Sequence, residues 1–537
     1  MSDQGESKGK MTSGVFTRSS TGLVKSISAL DVFSFTLLAA GPMVLIPLGV
    51  LTLPSVYEGA SIPLILGISI VLLLALAYNT VALSSALPRA GGDYVFGSRV
   101  VHPVWGMIPS FMVLFSFVIG IGTLAVVTLQ AFLGPAILTS FPQYAPVVVN
   151  LFYSSGGNLF AIAVLVLIFI FGLAAVSTRA WFWLIKFVSI FAFLMLIVFL
   201  AFLLTTNHNT LVANFNSQNA TGYSFAQVED VATASNWSPN VQASALTTAG
   251  AMIFVFFFLA APISAYFSGE IKNTARSMLA GMLGGTVFSW AIASIGILAF
   301  VTAFGYQFLS AYGFNSLSNP SVFGVNALIL ASVPNPDLAF LIGLGFSVAT
   351  LGLVAAPILP ASRILFAWSF DRMIPERFSS VSERTHTPIF SIIVVAVLTI
   401  LVAGLDVLFS STFGTFVATT IIVAIAFLPN GVTAALLPFR RKEVYETSPG
   451  LVKIRVGSAP LITLTGLVHA IGFAVLIALV FLNPAASGTS NGSLGGGPLA
   501  VVAIGLLFAL IFYPVAKEIR RSSGIDLGLT FKEIPPE

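Results

Sequence analysis

The chain has 537 residues, 57% of them hydrophobic and only 8% charged, with a formal net charge of +4. A soluble domain carries about a quarter charged residues, so this composition excludes a water-soluble fold and places the chain in a lipid bilayer. No basic, aromatic-studded face of the kind nucleic acid needs is present, and the lack of cysteine excludes disulfides, thiolate metal sites and thiol chemistry.

The first 29 residues are polar, and the apolar run after them has no small-residue cleavage site, so residues 1–30 read as a tail rather than a cleaved signal. A hydrocarbon core of about 30 Å takes about 20 apolar residues per helix. On that rule twelve spans are predicted, at 31–52, 62–86, 104–138, 158–177, 181–205, 244–268, 278–304, 337–361, 388–405, 411–437, 460–482 and 497–515. All 23 Lys and Arg residues lie in, or at the membrane edge of, alternate gaps between these runs. They are Lys8, Lys10, Arg18 and Lys25; Arg89 and Arg99; Arg179 and Lys186; Lys272 and Arg276; Arg363, Arg372, Arg377 and Arg384; Arg440, Arg441, Lys442, Lys453 and Arg455; and Lys517, Arg520, Arg521 and Lys532. Cytoplasmic loops retain such charges, which predicts a multi-pass protein of the cell membrane with both termini in the cytosol. The outward gaps, longest at 206–243 and 305–336, hold the glycosylation triplets at Asn219, Asn236 and Asn491.

Two spans are interrupted in the same way. The first reads Leu38-Ala39-Ala40-Gly41-Pro42-Met43 and the sixth Phe258-Leu259-Ala260-Ala261-Pro262-Ile263. Proline removes a donor and clashes with the preceding turn, and backbone freed at bilayer depth is tolerated only where it faces protein or a wet cavity. Matched breaks five spans apart predict a 5+5 inverted repeat, 31–205 and 244–437, with a midplane site between the discontinuous first and sixth helices. The rest of the chain divides into the external segment 206–243, a cytoplasmic loop at 438–459, two extra helices over 460–515 and a cytoplasmic tail at 516–537. Substrate is expected at Ala40, Gly41, Pro42 and Met43 and at Leu259, Ala260 and Ala261. A carboxylate suits the positive end of the half-helix after Pro42, and an ammonium suits the freed carbonyls of span six.

The cytoplasmic loop Leu87-Pro88-Arg89-Ala90-Gly91-Gly92-Asp93-Tyr94 resembles the P-R-A-G-G-x-Y signature of the amino acid–polyamine–organocation (APC) superfamily. Ser268-Gly269-Glu270-Ile271-Lys272-Asn273 is similar to that family's E-E-V-K-N-P, and the stretch from Ser362-Arg363 through Asp371-Arg372-Met373-Ile374-Pro375 to Thr387-Pro388 resembles its R-x-x-x-A-x-x-x-D-G-x-x-P and T-P segments. The resemblance implies a carrier that moves amino acids by alternating access. It places aromatic gating residues just before the break of span six, where Phe256, Phe257 and Phe258 stand, with Phe256 and Phe258 taken as the substrate contacts. It also matches Lys186 to the lysine of proton-coupled relatives, whose ammonium replaces a coupling cation. A lysine snorkelling to the headgroups is the competing role. Arg89, Asp93, Glu270 and Lys272 are the candidate cytoplasmic gate, and no metal or cofactor is called for. The chain departs from the family at the breaks, where Pro262 replaces an acidic position and Ala40-Gly41-Pro42 replaces G-S-G. Without that acid a cationic substrate would be unpaired, so neutral amino acids are expected.

The sequence thus predicts an all-α polytopic carrier, working as a proton symporter for neutral amino acids. An amino acid or amine exchanger and a transporter-like sensor are the alternatives. His102, His208, His386 and His469 are scattered and form no catalytic or metal constellation, so the chain is not expected to be an enzyme. The glycines at 281–285 in span seven fit close helix packing, either within the chain or across a dimer. A single cysteine at Asn219 is predicted to react with an impermeant maleimide on intact cells. Labelling only after permeabilisation would reverse the orientation.

Overall fold

A computed structural model describes residues 23, 25–238, 244–260, 262–383, 385–409, 412–482 and 498–531. It is an all-α membrane protein. Eleven helices among the described residues are long and apolar enough to cross a bilayer, from Ala29–Ser55 to Leu499–Ser522. The sixth predicted span is shorter, a helix over Ala245–Leu259 that gives way to 3₁₀ turns at Pro262–Tyr266 and Ser268–Glu270. Its start and end lie at opposite ends of the bundle: the Ser244 N–H donates to Gly59 O, while Glu270 O accepts from the N–H groups of Ser26 and Ile27.

The described parts of the two terminal segments share one end. Ile27 bridges Ile271 as a short parallel pair, and near the other terminus Phe531 sets its ring edge-on to Tyr94 at 6.2 Å and to Tyr513 at 5.5 Å. Small residues set the closest helix approaches. A Cβ at Gly431 would lie 2.6 Å from the Ala470 nitrogen and one at Gly466 2.6 Å from the Ala435 nitrogen, so spans ten and eleven touch backbone to backbone. The glycine step of span seven is likewise used inside the chain, since a Cβ at Gly281 would meet Val32 at 2.7 Å and one at Gly285 would meet Thr36 at 3.0 Å.

The long gaps at 206–243 and 305–336 contain short helices rather than open loops: His208–Gln218, Phe225–Ala234, Tyr306–Ser318 and Val325–Ser332. The first two are capped, by Asn207 and by a Ser224/Gln227 capping box. An aromatic cluster anchors them, with Phe225 stacked on Phe308 at 3.7 Å and Phe215 edge-on to both rings. Asn219 and Asn236 are exposed there, both with positive φ, and Asn491 lies outside the described residues. The only sheet among the described residues is a two-residue hairpin pairing Arg455–Val456 with Ala459–Pro460.

Candidate substrate-binding site

The first span breaks because two local preferences coincide. Its first segment, Ala29–Ala39, ends at Ala40, and Gly41 takes φ 49° and ψ 39°, a left-handed conformation that suits a residue without Cβ. Pro42 then starts the second segment, Pro42–Ser55, at the position where a missing N–H costs least. The Gly41 carbonyl receives the N–H groups of Val44 and Leu45 at 2.9 and 2.8 Å. The N–H of Met43 is left at the positive end of the half-helix with no carbonyl of its own segment to reach.

In the sixth span the helix stops at Leu259, and Ala260 turns to φ −83°, ψ 96°. Ala261 lies outside the described residues. The Ala260 N–H closes on Phe256 O at 2.9 Å, and Pro262, which has no N–H, cannot extend the helical ladder beyond it. The two breaks are neighbours. Phe258 and Leu353 flank Gly41, where a Cβ would lie 3.5 and 3.3 Å from their side chains, and Thr36 shares a 3.5 Å hydrogen bond with Ser264 beyond the second break.

A cavity of about 70 Å³, measured as the space open to water centres, joins the two breaks. Ala39 and Ala260 line it from the broken spans, Ser116, Phe117 and Gly120 from span three, and Leu353 from span eight; no lining residue is charged. Of the three successive phenylalanines, Phe257 lines the cavity. Phe256 turns away onto Phe473 of span eleven at 5.1 Å, and Phe258 packs on Phe254 and Phe257 against the first break. Of the residues expected from the sequence, Ala260 borders the cavity directly. Ala40, Gly41, Pro42, Met43, Phe256, Phe258 and Leu259 are buried around it without lining it. Ser116, Gly120 and Phe427 also line it, and no motif marks them.

The end of the bundle that holds Ile27 and Phe531 is shut by buried polar contacts. Glu270 binds Arg363 with two hydrogen bonds, 2.8 Å from Nε to Oε1 and 3.0 Å from Nη2 to Oε2, with both residues buried. Arg99 donates to Asp371 at 2.8 Å, Tyr94 donates to the same carboxylate at 2.7 Å, and Phe531 covers the Arg99 guanidinium at 4.9 Å. Asp93 receives the Tyr266 hydroxyl on Oδ2, while its buried Oδ1 has no hydrogen-bond partner. Burial pushes the Asp93 carboxyl up to about 6, with Tyr266 and the nearby Asn430 working against the rise. Gly91 permits this closure, because a Cβ there would lie 2.5 Å from that of Ala367.

Of the four gate residues expected, Glu270 and Asp93 are therefore at the seal, and Ser268 donates to the Arg89 carbonyl at 3.0 Å. Lys272 departs from the expectation. Its backbone N–H donates to Ile27 O, but Glu270 pairs with Arg363, and Lys272 instead borders a separate cleft with Lys186. Lys186 forms a 2.5 Å ion pair with Asp31 in the first turn of span one and lies 5.1 Å from the Trp183 ring. Asp31 is itself held by the Ser28 capping box. Among the described residues no group of three or more His, Cys, Asp or Glu is placed to hold a metal.

Broken helices around an uncharged central cavity, sealed at one end by buried ion pairs, define a membrane transport protein. A sequence profile of amino acid permeases matches residues 30–509, and the chain belongs to that family, within the APC superfamily. A comparison with curated proteins returns no match.

Asp93 makes the seal sensitive to pH. Its value in the closed arrangement lies above the ordinary 3.8, so closure holds the proton more tightly than an opened, hydrated loop. That advantage is present below about pH 4 and is lost as pH rises through about 6. A cysteine at Ala90 is expected to become about threefold or more reactive between about pH 5 and 7, relative to one at exposed Ser523, and Asp93→Asn is expected to level that ratio. A level ratio in the otherwise wild-type protein would contradict the assignment.

Proposed function

We propose that the protein takes up neutral amino acids across the cell membrane by alternating access, driven by protons. The reading includes twelve crossings, ten of them in two inverted repeats of five with two helices appended, and both termini in the cytosol. The observation that carries it is the cavity joining the two breaks, which offers backbone groups but no charged side chain. A zwitterion brings its own two charges. Its carboxylate suits the half-helix beginning at Pro42 and Met43, and its ammonium suits backbone carbonyls at the second break, around Leu259 and Ala260. A third, cationic charge on the substrate would enter this lining unpaired, which disfavours basic amino acids and polyamines.

The membrane orientation is supported by the grouping of the cation-bearing segments. The loops carrying Arg89 and Lys272, the helix end carrying Arg363, and the described parts of both terminal segments converge on one end of the bundle, and cationic ends face the cytosol. On this reading the buried Glu270–Arg363 and Arg99–Asp371 pairs close the cytoplasmic side, and they must part for inward release. Parting them hydrates four buried charges at once, so opening proceeds as a discrete step between two states rather than as gradual loosening.

Lys186 is the coupling residue in this scheme. Protonated, it holds Asp31 and so ties span five to the first segment of span one. Deprotonated, it leaves the Asp31 carboxylate without its strongest partner and frees that segment to tilt about Gly41. Lys186→Met keeps the packing of the stem but removes the proton site. In liposomes the variant is expected to lose proton-driven accumulation of neutral amino acids, by about tenfold or more, while retaining slow exchange, and wild-type uptake is expected to need no sodium. Near-normal proton-driven uptake by Lys186→Met would sink the coupling role and leave the lysine as a headgroup anchor.

A further inference from the structure

The ion pair of Lys186 and Asp31 borders a cleft whose other two cations, Arg179 and Lys272, take no part in the proposed coupling. The cleft, about 420 Å³, lies between the segment that precedes span one and the start of span five. Three cations, Arg179, Lys186 and Lys272, border it against one carboxylate, Asp31. Asp31 is already taken by Lys186 at 2.5 Å and by the Ser28 cap at 2.6 Å, so the cleft keeps an excess of positive charge. Arg179 and Lys272 are exposed. The Thr178 hydroxyl oxygen is shut from solvent and has no hydrogen-bond partner.

The surroundings say what kind of anion fits. Arg179, Trp183 and Lys186 are spaced at helical intervals along one side of the helix Thr178–Thr205. That side continues up the same helix as an exposed apolar stripe: Trp183 at 63%, Phe187 at 68%, Ile190 at 67% and Leu194 at 52% exposed. A free ion in water has no use for such a stripe, whereas a molecule with a negative head and an apolar tail matches both parts. Exposed Trp beside Lys and Arg also marks the level of lipid headgroups.

We propose that this cleft binds the phosphate of an anionic lipid, with Arg179 and Lys272 as its charge partners, Thr178 as a hydroxyl donor, and the acyl chains laid along Trp183, Phe187 and Ile190. Basic pockets between membrane helices bind lipid headgroups by this chemistry. The site is wired to the seal: Lys272 N–H holds Ile27 O at 2.9 Å, and Ile27 N–H holds the carbonyl of the same Glu270 whose side chain grips Arg363. A bound headgroup would pin the segment before span one to the start of span five and favour the closed arrangement at this end.

The test measures binding alone, so its outcome is separate from that of the transport reading. Delipidated full-length protein is offered phosphatidylglycerol and phosphatidylcholine in equal amounts, and the lipid retained is counted by native mass spectrometry. Wild type is expected to prefer phosphatidylglycerol, with about a fivefold loss of preference for each cation removed in Arg179→Gln and Lys272→Gln and retention in Arg179→Lys. Both side chains are exposed, so the thermal stability of the variants should match wild type. An equal preference in wild type and in the double variant would overturn the proposal. Displacement of the lipid by millimolar inorganic phosphate would also overturn it, by making this a free-anion site.

Discussion

A backbone that stops being helical inside a bilayer must place its freed amides and carbonyls against protein or water, and the architecture of this protein answers that constraint. Gly41 and Pro42 open the first span, and Ala260 and Pro262 open the sixth. Neither break faces lipid. Spans three, eight and ten close around them, through residues such as Phe117, Leu353 and Phe427, and leave one cavity between. On the proposed reading, backbone groups at the two breaks form the polar part of an otherwise apolar site, so that a zwitterion is recognised without a charged residue.

The seal at one end follows a different rule. Buried ion pairs add little net stability when intact but are costly to break singly. Glu270 with Arg363, and Arg99 with Asp371 and Tyr94, are therefore suited to holding a closed state that opens all at once. Asp93 differs from them in having a phenol rather than a cation as its partner, with one oxygen left unpaired. Burial raises its carboxyl to about 6, so proton concentration can bias the seal through it.

The apolar runs were legible in the sequence because about 20 residues of hydrophobicity leave an unmistakable trace, and the predicted limits lie within a few residues of most helix ends. The matched Pro breaks were legible for the same local reason. Orientation within a helix was not: three successive phenylalanines look alike, and only the packing of Phe473 and the course of Ala260 decide that Phe257 faces the cavity while Phe256 does not. Long-range pairings were hidden as well. Glu270 and Arg363 are 93 positions apart, and Lys272, two residues from Glu270, looked an equally good gate charge until the backbone turn at Ile271 sent it to another cleft. The long polar gaps hid short helices because their caps and aromatic anchors lie in stretches of low hydropathy, where membrane rules have nothing to read.

On the proposed reading the amino acid sits in the cavity between the two breaks. Gly120 lines that cavity, and a Cβ there would find its nearest neighbour, Thr419, at 3.8 Å, so a larger side chain fills the space without straining the backbone. Equilibrium binding of labelled leucine to purified wild type and Gly120→Leu tests the claim directly. The account predicts saturable binding to wild type and loss of about tenfold or more in affinity for Gly120→Leu at unchanged thermal stability, as steric exclusion from a closely fitted site requires. Equal affinity in the two proteins would contradict it.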